Sequence, residues 1–84
     1  MTESGVVAIR NLKTDRVYLF WADDIQKENA KQRFDLDLGM HSCRELQEDY
    51  ENTGLEVFRF DTIEKTEKKE RLEELRRLYQ NCYK

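Results

Sequence analysis

Two short apolar runs open the chain, and a polar tripeptide separates them. The runs GVVAIRNL (residues 5–12) and RVYLFW (residues 16–21) are rich in β-branched and aromatic side chains, and KTD between them has the length of a hairpin connection. In the second run Val17, Leu19 and Trp21 alternate with the other aromatic residues, as the two faces of a strand do. The pattern predicts two antiparallel strands.

The next segment, ADDIQKENAKQRF (residues 22–34), has few apolar positions. Its Asp pair is suited to capping a helix, because a carboxylate accepts hydrogen bonds from the free N–H groups of the first turn. The apolar stripe that we assign to it consists of Ile25, Ala30 and Phe34. We therefore predict a helix with a narrow buried face.

Residues 41–54, HSCRELQEDYENTG, carry stronger helix signals. Ser42 and Glu45 have the S-x-x-E spacing of a capping box, and Gly54 stands where a left-handed C-terminal cap is common. The apolar residues on one face of this predicted helix are Cys43, Leu46 and Tyr50.

The remainder of the chain predicts one strand and one helix. In LEVFRFDTI (residues 55–63), Phe58 and Phe60 share one strand face and Val57 lies on the other. The segment TEKKERLEELRRLYQNCY (residues 66–83) is amphipathic, with apolar residues at spacings of three and four: Leu72, Leu75, Leu78, Tyr79 and Cys82. The resulting order, ββααβα, predicts an α+β domain in which helices flank a small three-stranded antiparallel sheet.

Composition places these elements in a single domain, residues 1–84, because a chain of this length buries only about 60–65% of its unfolded surface. Cys43 and Cys82 have no second Cys or His at ligand spacing, so we expect reduced thiols rather than a zinc site. No segment has the ~18 apolar residues of a membrane span, and the first residues lack a signal-peptide pattern. We expect a cytoplasmic protein.

Charge is distributed unevenly along the chain, whose net charge is −3. Residues 35–63 carry eight acidic and two basic side chains, whereas residues 64–84 carry five and seven. A protein that holds DNA by its phosphates normally presents a basic stripe, so the acidic middle weighs against strong non-specific DNA binding. The sequence has a single histidine and shows no Gly-rich phosphate loop, no Ser/His/Asp set and no Cys/His pairing.

Two blocks of the sequence resemble the GIY-YIG nuclease family. The first, GVVAIRNLKTDRVYLFWADD, corresponds to the hairpin that carries a Gly-Ile-Tyr near its start and a Tyr-Ile-Gly at its end in this family. The second, LGMHSCRELQEDYENTGLEVFRFDTIE, has a Gly-x-His turn, a Leu-Gln pair inside a helix, a Gly after that helix and an F-x-F strand, as do members related to the catalytic domain of phage homing endonucleases. The resemblance spans Gly5 to about Tyr83 and implies the fold of that family.

The resemblance also implies site residues, position by position, and several of the family's residues are replaced in the hairpin. The family's first tyrosine, which helps to activate the attacking water, falls on Val7, and its second falls on Tyr18. The motif glycine falls on Phe20. His41 matches a histidine found in some members.

The charged residues that the resemblance implies lie on two helices. The family's arginine, expected to stabilise phosphate charge, falls on Glu28 or Asn29, or on Lys27 if the alignment slips. The glutamate that binds a single divalent metal in the family falls on Glu74, with Glu73 as the alternative.

Phosphodiester hydrolysis needs an activated nucleophile, positive charge where negative charge develops, and a metal Lewis acid. The substitutions above, Glu28 in particular, favour a degenerate active site and a non-catalytic binding or interaction module without a cofactor. The alternative is an active DNA endonuclease that uses Tyr18, His41 and Lys27, with Mg²⁺ or Mn²⁺ bound by Glu74. A third interpretation, a non-catalytic nucleic-acid binder, is disfavoured by the acidic middle of the chain.

The aromatic pair at the end of the hairpin gives a further expectation. Strand alternation sends Trp21 to the face of Val17, and Phe20 to the face of Tyr18. We expect Trp21 to pack against the helices, and Phe20 to line the former cleft, where it fills space or contacts a protein partner or a second copy of the chain. On this interpretation Phe20→Gly costs about 1 kcal/mol beyond the glycine penalty, and Trp21→Ala costs ~3–5 kcal/mol.

Overall fold

The computed structural model, which describes residues 2–83, has a sheet built around its first strand. The strands are β1 (Gly5–Asn11), β2 (Val17–Ala22) and β3 (Phe58–Lys65), in the order β2-β1-β3, and both pairings are antiparallel. The helices are α1 (Ile25–Leu38), α2 (Arg44–Thr53) and α3 (Arg71–Leu78), and a short 3₁₀ turn (Leu55–Val57) precedes β3. This order confirms the predicted α+β class and the ββααβα succession.

Both faces of the sheet are covered, which explains why β1 is an almost unbroken apolar run. Its successive residues 6–9 have no exposed surface, because they point alternately into two separate clusters. The first cluster, the α1–α2 core, contains Val7, Ile9, Phe20, Ala22, Ile25, Leu36, Cys43, Leu46, Tyr50, Phe58 and Tyr83. The second, the α3 core, contains Val6, Ala8, Val17, Leu19 and Leu75.

Helix α1 begins as predicted and uses a different face. Asp24 is its N-cap and accepts a hydrogen bond from the N–H of Lys27, at 3.3 Å. The buried residues are Ile25 and Leu36, whereas Phe34 is 62% exposed, so the predicted stripe is wrong. The reason is geometric: at 100° per residue, Phe34 lies nine positions from Ile25 and on the opposite side of the helix, whereas Leu36 returns to the same side.

Helix α2 has the predicted buried face but neither predicted cap. Leu46 and Tyr50 are buried, whereas the N-cap residue is Cys43, one position after the Ser42 that a capping box requires. Gly54 has φ 90° and ψ 166°, outside the left-handed helical region, and its N–H donates to the C=O of Tyr50 at 2.9 Å. The prediction of a left-handed cap is therefore wrong, although this conformation still favours glycine.

The last strand begins and ends later than predicted, and the last helix is shorter. Val57 lies in the 3₁₀ turn and packs against the α1–α2 core beside Phe58, so it does not occupy the opposite strand face. Helix α3 ends at Leu78, because the chain turns back to the hairpin: the N–H of Val17 donates to the C=O of Asn81, at 3.0 Å. Pairing with the edge of β2 therefore replaces the last helical turns that the periodicity predicts. No helix within residues 2–83 combines the length and the apolar character needed to cross a membrane.

Candidate functional site

Tyr18 and His41 are the two predicted site residues that the fold brings into contact. Tyr18 lies on β2 and is partly buried, and His41 lies between α1 and α2 and is 9% exposed. Their ring centroids are 5.0 Å apart, with an edge-to-face angle of 83°. Tyr18 also stacks against Phe20, at 6.1 Å between centroids. We call the surface around these two residues the Tyr18 cleft.

The imidazole of His41 is held by hydrogen bonds on both ring nitrogens. Its Nδ1 accepts the N–H of Cys43 at 3.0 Å, so the proton of the neutral ring belongs on Nε2. That nitrogen faces Oε1 of Gln32 and donates to it. The backbone N–H of His41 donates to Oε1 of Gln47 at 3.1 Å. The histidine is therefore fixed in one tautomer and one orientation.

Gln32 continues this series of hydrogen bonds to Glu28. Its Nε2 donates to Oε2 of Glu28 at 3.1 Å, one turn away on α1. The series thus runs from the Cys43 N–H through His41 and Gln32 and ends on a carboxylate. Sequence reasoning missed Gln32, although its i, i+4 spacing from Glu28 places the two side chains on the same side of a helix.

Lys27 and Glu74 lie elsewhere. The side chain of Lys27 is exposed on α1. Adjacent helical positions differ in direction by about 100°, so Lys27 points away from the side of the helix on which Glu28 bonds to Gln32. Glu74 lies on α3, whose Leu75 packs in the α3 core on the other face of the sheet from Tyr18. The structure therefore does not gather the predicted residues into one cluster.

Both glutamates proposed as metal ligands are engaged in ion pairs on α3. Oε2 of Glu74 lies 2.5 Å from Nη1 of Arg71, and Oε1 of Glu73 lies 3.1 Å from Nη1 of Arg76. Arg71 also binds Glu64 of β3 through Nε, at 2.7 Å. Among residues 2–83, no three His, Cys, Asp or Glu side chains are arranged to hold a metal ion.

Apolar side chains occupy the two hairpin positions where the resemblance places a tyrosine and a glycine. Val7 is fully buried, and Phe20 is 4% exposed, with its ring 6.5 Å from that of Phe60. Phe20 does share the face of Tyr18, and of the two predicted roles its burial in the α1–α2 core agrees with filling space, whereas a side chain covered by α1 and α2 has almost no exposed surface for a partner. Trp21 packs partly against the α3 core, with its Nε1 donating to Asp23 at 2.9 Å.

The C-terminal segment closes one side of the Tyr18 cleft. Tyr83 is buried, and its hydroxyl donates to Oδ2 of Asp49 at 2.7 Å and accepts from Nδ2 of Asn11 at 3.1 Å. Burial, followed by the bond to Asp49, raises the pKa of Tyr83 to about 12. The hollow beside it, of about 390 Å³, is lined by Tyr18, Leu19, Ser42, Cys43, Arg76, Cys82 and Tyr83. The fold thus brings the two cysteines to one hollow, although 38 residues separate them in the chain.

The buried histidine predicts a pH dependence of stability. Burial lowers the pKa of His41 from its ordinary value of 6.5, despite the opposing effect of Asp35. The unfolded chain then binds a proton more readily, so the free energy of unfolding should fall as the pH falls through 6.5 towards the lower pKa of the folded state. Denaturation in urea at pH 7.5 and 5.5 measures this loss.

A variant separates His41 from the carboxylates that titrate at lower pH. His41 is the single histidine of the chain, and in His41→Asn an amide oxygen can accept the Cys43 N–H without titrating. We expect the variant to lose much of the change in stability between pH 7.5 and 5.5. An equal change in both proteins would contradict the assignment to His41.

Two solved structures are similar to the chain over nearly its whole length. The catalytic domain of homing endonuclease I-TevI is 27% identical in sequence, with a TM-score of 0.82, and the match covers 95% of each chain. A glutamate-to-alanine mutant of the catalytic domain of intron endonuclease I-TevI, also 27% identical, has a TM-score of 0.81 over 98% of this chain and 92% of its own. No family model matches the sequence, and no curated protein does. The likeness in fold confirms the resemblance predicted from the sequence: the chain has the fold of a GIY-YIG homing endonuclease catalytic domain.

Proposed function

We propose that this chain is a GIY-YIG-like domain with a degenerate active site, which acts as a non-catalytic binding or interaction module. The observation that carries the proposal is the hydrogen-bonded series from Cys43 through His41 and Gln32 to Glu28. It presents a neutral imidazole and a carboxylate in the region where phosphodiester cleavage needs a cation. A carboxylate repels a nearby phosphate, whereas the arginine of the family attracts it. By Coulomb's law in a partly shielded site, the exchange changes the interaction energy by several kcal/mol, as an order of magnitude.

The hairpin supports the same conclusion. Val7 has no hydroxyl and no exposed surface, so it can neither polarise a water molecule nor reach a substrate. Phe20 fills the interior where the resemblance places a glycine, a residue that often marks the close approach of a ligand or another backbone. Tyr18 alone keeps the hydroxyl that the family uses.

The residues around Glu74 do not fit the divalent metal that the resemblance implies. Mg²⁺ requires an octahedral set of oxygen ligands. Glu74 is instead neutralised by Arg71, and its helix packs through Leu75 on the other face of the sheet from Tyr18, with Arg76 as the helix residue that reaches the hollow beside Tyr18. We therefore assign no reaction step to a metal ion.

The alternative function is a divalent-metal-dependent DNA endonuclease. The contact between Tyr18 and His41 is the observation that favours it, because a tyrosine hydroxyl and an imidazole are both groups that transfer protons in catalysis. This alternative requires a cation at the cleft, either Lys27 after a movement or Arg76, which lines the hollow, and it requires Glu74 to exchange Arg71 for a metal.

A cleavage assay decides between the two functions. Plasmid and branched DNA are incubated with the chain and Mg²⁺ or Mn²⁺, beside a Tyr18→Phe, Glu74→Ala double variant. We expect no metal-dependent cleavage above that of the variant, because the series beside Tyr18 ends on the Glu28 carboxylate, and Arg76, which lines the hollow, is held by Glu73 and by the C=O of Leu19. Turnover by the wild-type chain that disappears in the variant would establish the endonuclease instead.

Binding of DNA without cleavage is tested separately. We expect a dissociation constant no tighter than the ~10⁻⁴–10⁻⁶ M of non-specific binding at physiological salt. Glu28→Arg should tighten binding more than Glu67→Arg, which makes the same change in charge on the segment between β3 and α3, because Glu28 belongs to the series beside the Tyr18 cleft. Sub-micromolar binding by the wild-type chain would contradict the proposal.

A further inference from the structure

The outer edge of β3 is open. The N–H of Leu12 donates to the C=O of Val57 at 2.8 Å, and in an antiparallel pair only every second residue directs its backbone groups at the neighbouring strand. The backbone groups of Phe58, Phe60 and Thr62 therefore point away from β1. The N–H of Phe58 turns back to the 3₁₀ turn, but within residues 2–83 no hydrogen bond reaches the outward groups of Phe60 or Thr62.

The opposite edge of the sheet is protected by the chain itself. On β2, Val17 exchanges backbone hydrogen bonds with Asn81 and Tyr83, at 3.0 and 2.8 Å. Farther along, the C=O of Leu19 accepts a hydrogen bond from Nη2 of Arg76 at 3.1 Å. Natural proteins usually cover an edge in this way, or interrupt it with Pro or Lys, to prevent pairing between chains. Residues 58–62 of β3 contain neither residue.

The side chains of β3 select one partner for this edge. Arg59 and Asp61 follow each other on the face opposite Phe60, with side chains 60% and 29% exposed. Within the chain they form an ion pair, Nε of Arg59 to Oδ1 of Asp61 at 2.9 Å. We propose that β3 pairs antiparallel with β3 of a second copy of this chain, about a two-fold axis at Phe60. In this register Arg59 of each copy lies opposite Asp61 of the other, so the strand is complementary to itself. The dimer would exchange the ion pair within each chain for the same pair across the two strands.

Neighbouring registers lack this complementarity. A two-fold axis at Thr62 would place Arg59 opposite Lys65 of the other copy, which is repulsive. An axis at Phe58 would pair the strand with the 3₁₀ turn, whose backbone is not extended. The register at Phe60 also leaves Ile63, next to the irregularity in the β1–β3 pairing, outside the contact.

The proposed contact is short, so it should be weak and dependent on concentration. Two backbone hydrogen bonds form between the Phe60 residues, and two more from each Thr62 N–H to the C=O of Phe58 in the other copy. The Phe58 N–H contributes none, because it donates to the C=O of Leu55. Beside the strand, a groove of about 360 Å³ lined by Arg33, Leu55, Phe58, Arg59 and Phe60 adds apolar surface, of which Leu55 is 38% exposed.

This inference concerns self-association and is independent of the loss of cleavage. The site that carries the proposed function lies on α1, on the loop between α1 and α2, and on β2, whereas the pairing uses the far edge of the sheet. A negative result in the association experiment leaves the cleavage assay unaffected, and the reverse also holds. The outer edge of β3 also replaces the region around buried Phe20 as the place where a second copy would bind.

Sedimentation equilibrium between ~10 µM and ~1 mM tests the proposal on the full chain. We expect a reversible monomer–dimer equilibrium. Arg59→Asp should weaken it about tenfold or more, because each dimer loses two attractive charge pairs and gains two repulsive ones. Arg77→Asp, which makes the same change in charge on α3, should leave it unchanged. Thr62→Pro, which removes an outward N–H that has no partner in the monomer, should abolish dimerisation while the far-UV circular dichroism spectrum is retained.

A mixture of two variants identifies the register. Arg59→Asp and Asp61→Arg should each associate more weakly than the wild-type chain, whereas mixing them restores both cross-strand pairs and should give a heterodimer of about wild-type affinity. In the wild-type dimer, isotope-filtered NMR should detect an intermolecular contact between the Hα protons of Arg59 and Asp61, which face each other in a non-hydrogen-bonded pair. A chain that stays monomeric at 1 mM, or a dimer unaffected by Arg59→Asp and Thr62→Pro, would overturn the proposal.

Discussion

Phe20→Ala should lower the free energy of unfolding by ~3–5 kcal/mol, whereas Trp21→Ala should cost less, about 1–2 kcal/mol. Phe20 is 4% exposed and its ring lies between those of Tyr18 and Phe60, so truncation leaves a cavity in the α1–α2 core. Trp21 is only partly buried, and its indole Nε1 already bonds to an exposed carboxylate, that of Asp23. The expected order is the reverse of the one that strand alternation predicts when only one face of the sheet is covered.

Urea denaturation followed by far-UV circular dichroism measures both variants without relying on the fluorescence of Trp21. A domain of this size has a total stability of about 5–10 kcal/mol, so Phe20→Ala should be partly unfolded at moderate temperature. Phe34→Ala is the matched control, because it truncates the same side chain at a site that is 62% exposed, and it should cost less than 1 kcal/mol. If Trp21→Ala proves the more damaging change, the assignment of Phe20 to the core is incorrect.

Gly5→Ala should destabilise the sheet by ~1–3 kcal/mol, although it adds only one methyl group. A Cβ at Gly5 would clash with the carbonyl oxygen of Glu64 and lie 3.0 Å from Cα of Lys65, and both are backbone atoms of the adjacent strand. The strands cannot relieve the contact by changing a rotamer, so β1 and β3 must separate at this end. Gly5 lies just before the irregularity in their register between Val6 and Val7.

The control for Gly5→Ala is a substitution at a glycine with room for a side chain. Gly39 has φ 74° and an added Cβ would lie 3.5 Å from Glu51, so Gly39→Asn should cost little, because Asn adopts the left-handed conformation readily. Amide hydrogen exchange should show increased opening near residues 5–7 and 62–66 in Gly5→Ala and none in Gly39→Asn. Equal stability of Gly5→Ala and the wild-type chain would show that the strands adjust without cost.

The contact at Gly5 shows that one residue of the hairpin motif is needed for packing and not for chemistry. The glycine is required by the approach of β3, irrespective of any chemistry, whereas the tyrosine that the family has two residues later can be replaced by Val7 without loss of packing. Gly5, a motif position kept for packing, therefore lies only two residues from Val7, a motif position where the residue differs from that of the family. Under the proposed function, this difference accounts for a fold that is kept while the groups used for cleavage are replaced.

The types and order of the elements followed from the sequence alone, because they depend on local patterns. Short β-branched and aromatic runs predicted all three strands, and the Asp pair before Ile25 predicted the cap that Asp24 provides. Predictions failed where a boundary depended on a distant contact. The predicted α3 was too long, because Val17 of β2 bonds the segment that follows Leu78, and a contact across 64 residues leaves no local signal.

The site required the tertiary structure for a similar reason. The sequence predicted Tyr18 and His41 as candidates, but only the packing of the α1–α2 loop onto β2 brings their rings to 5.0 Å. The series from His41 to Glu28 depends on Gln32, whose spacing from Glu28 is visible in the sequence but whose histidine partner is not. Burial of Phe20 depended on whether helices cover one face of the sheet or both, and alternation within a strand defines faces without showing what covers them. Local pattern thus determined the elements and the faces of the strands and of α2, whereas contacts between distant segments decided which faces are buried and which residues meet.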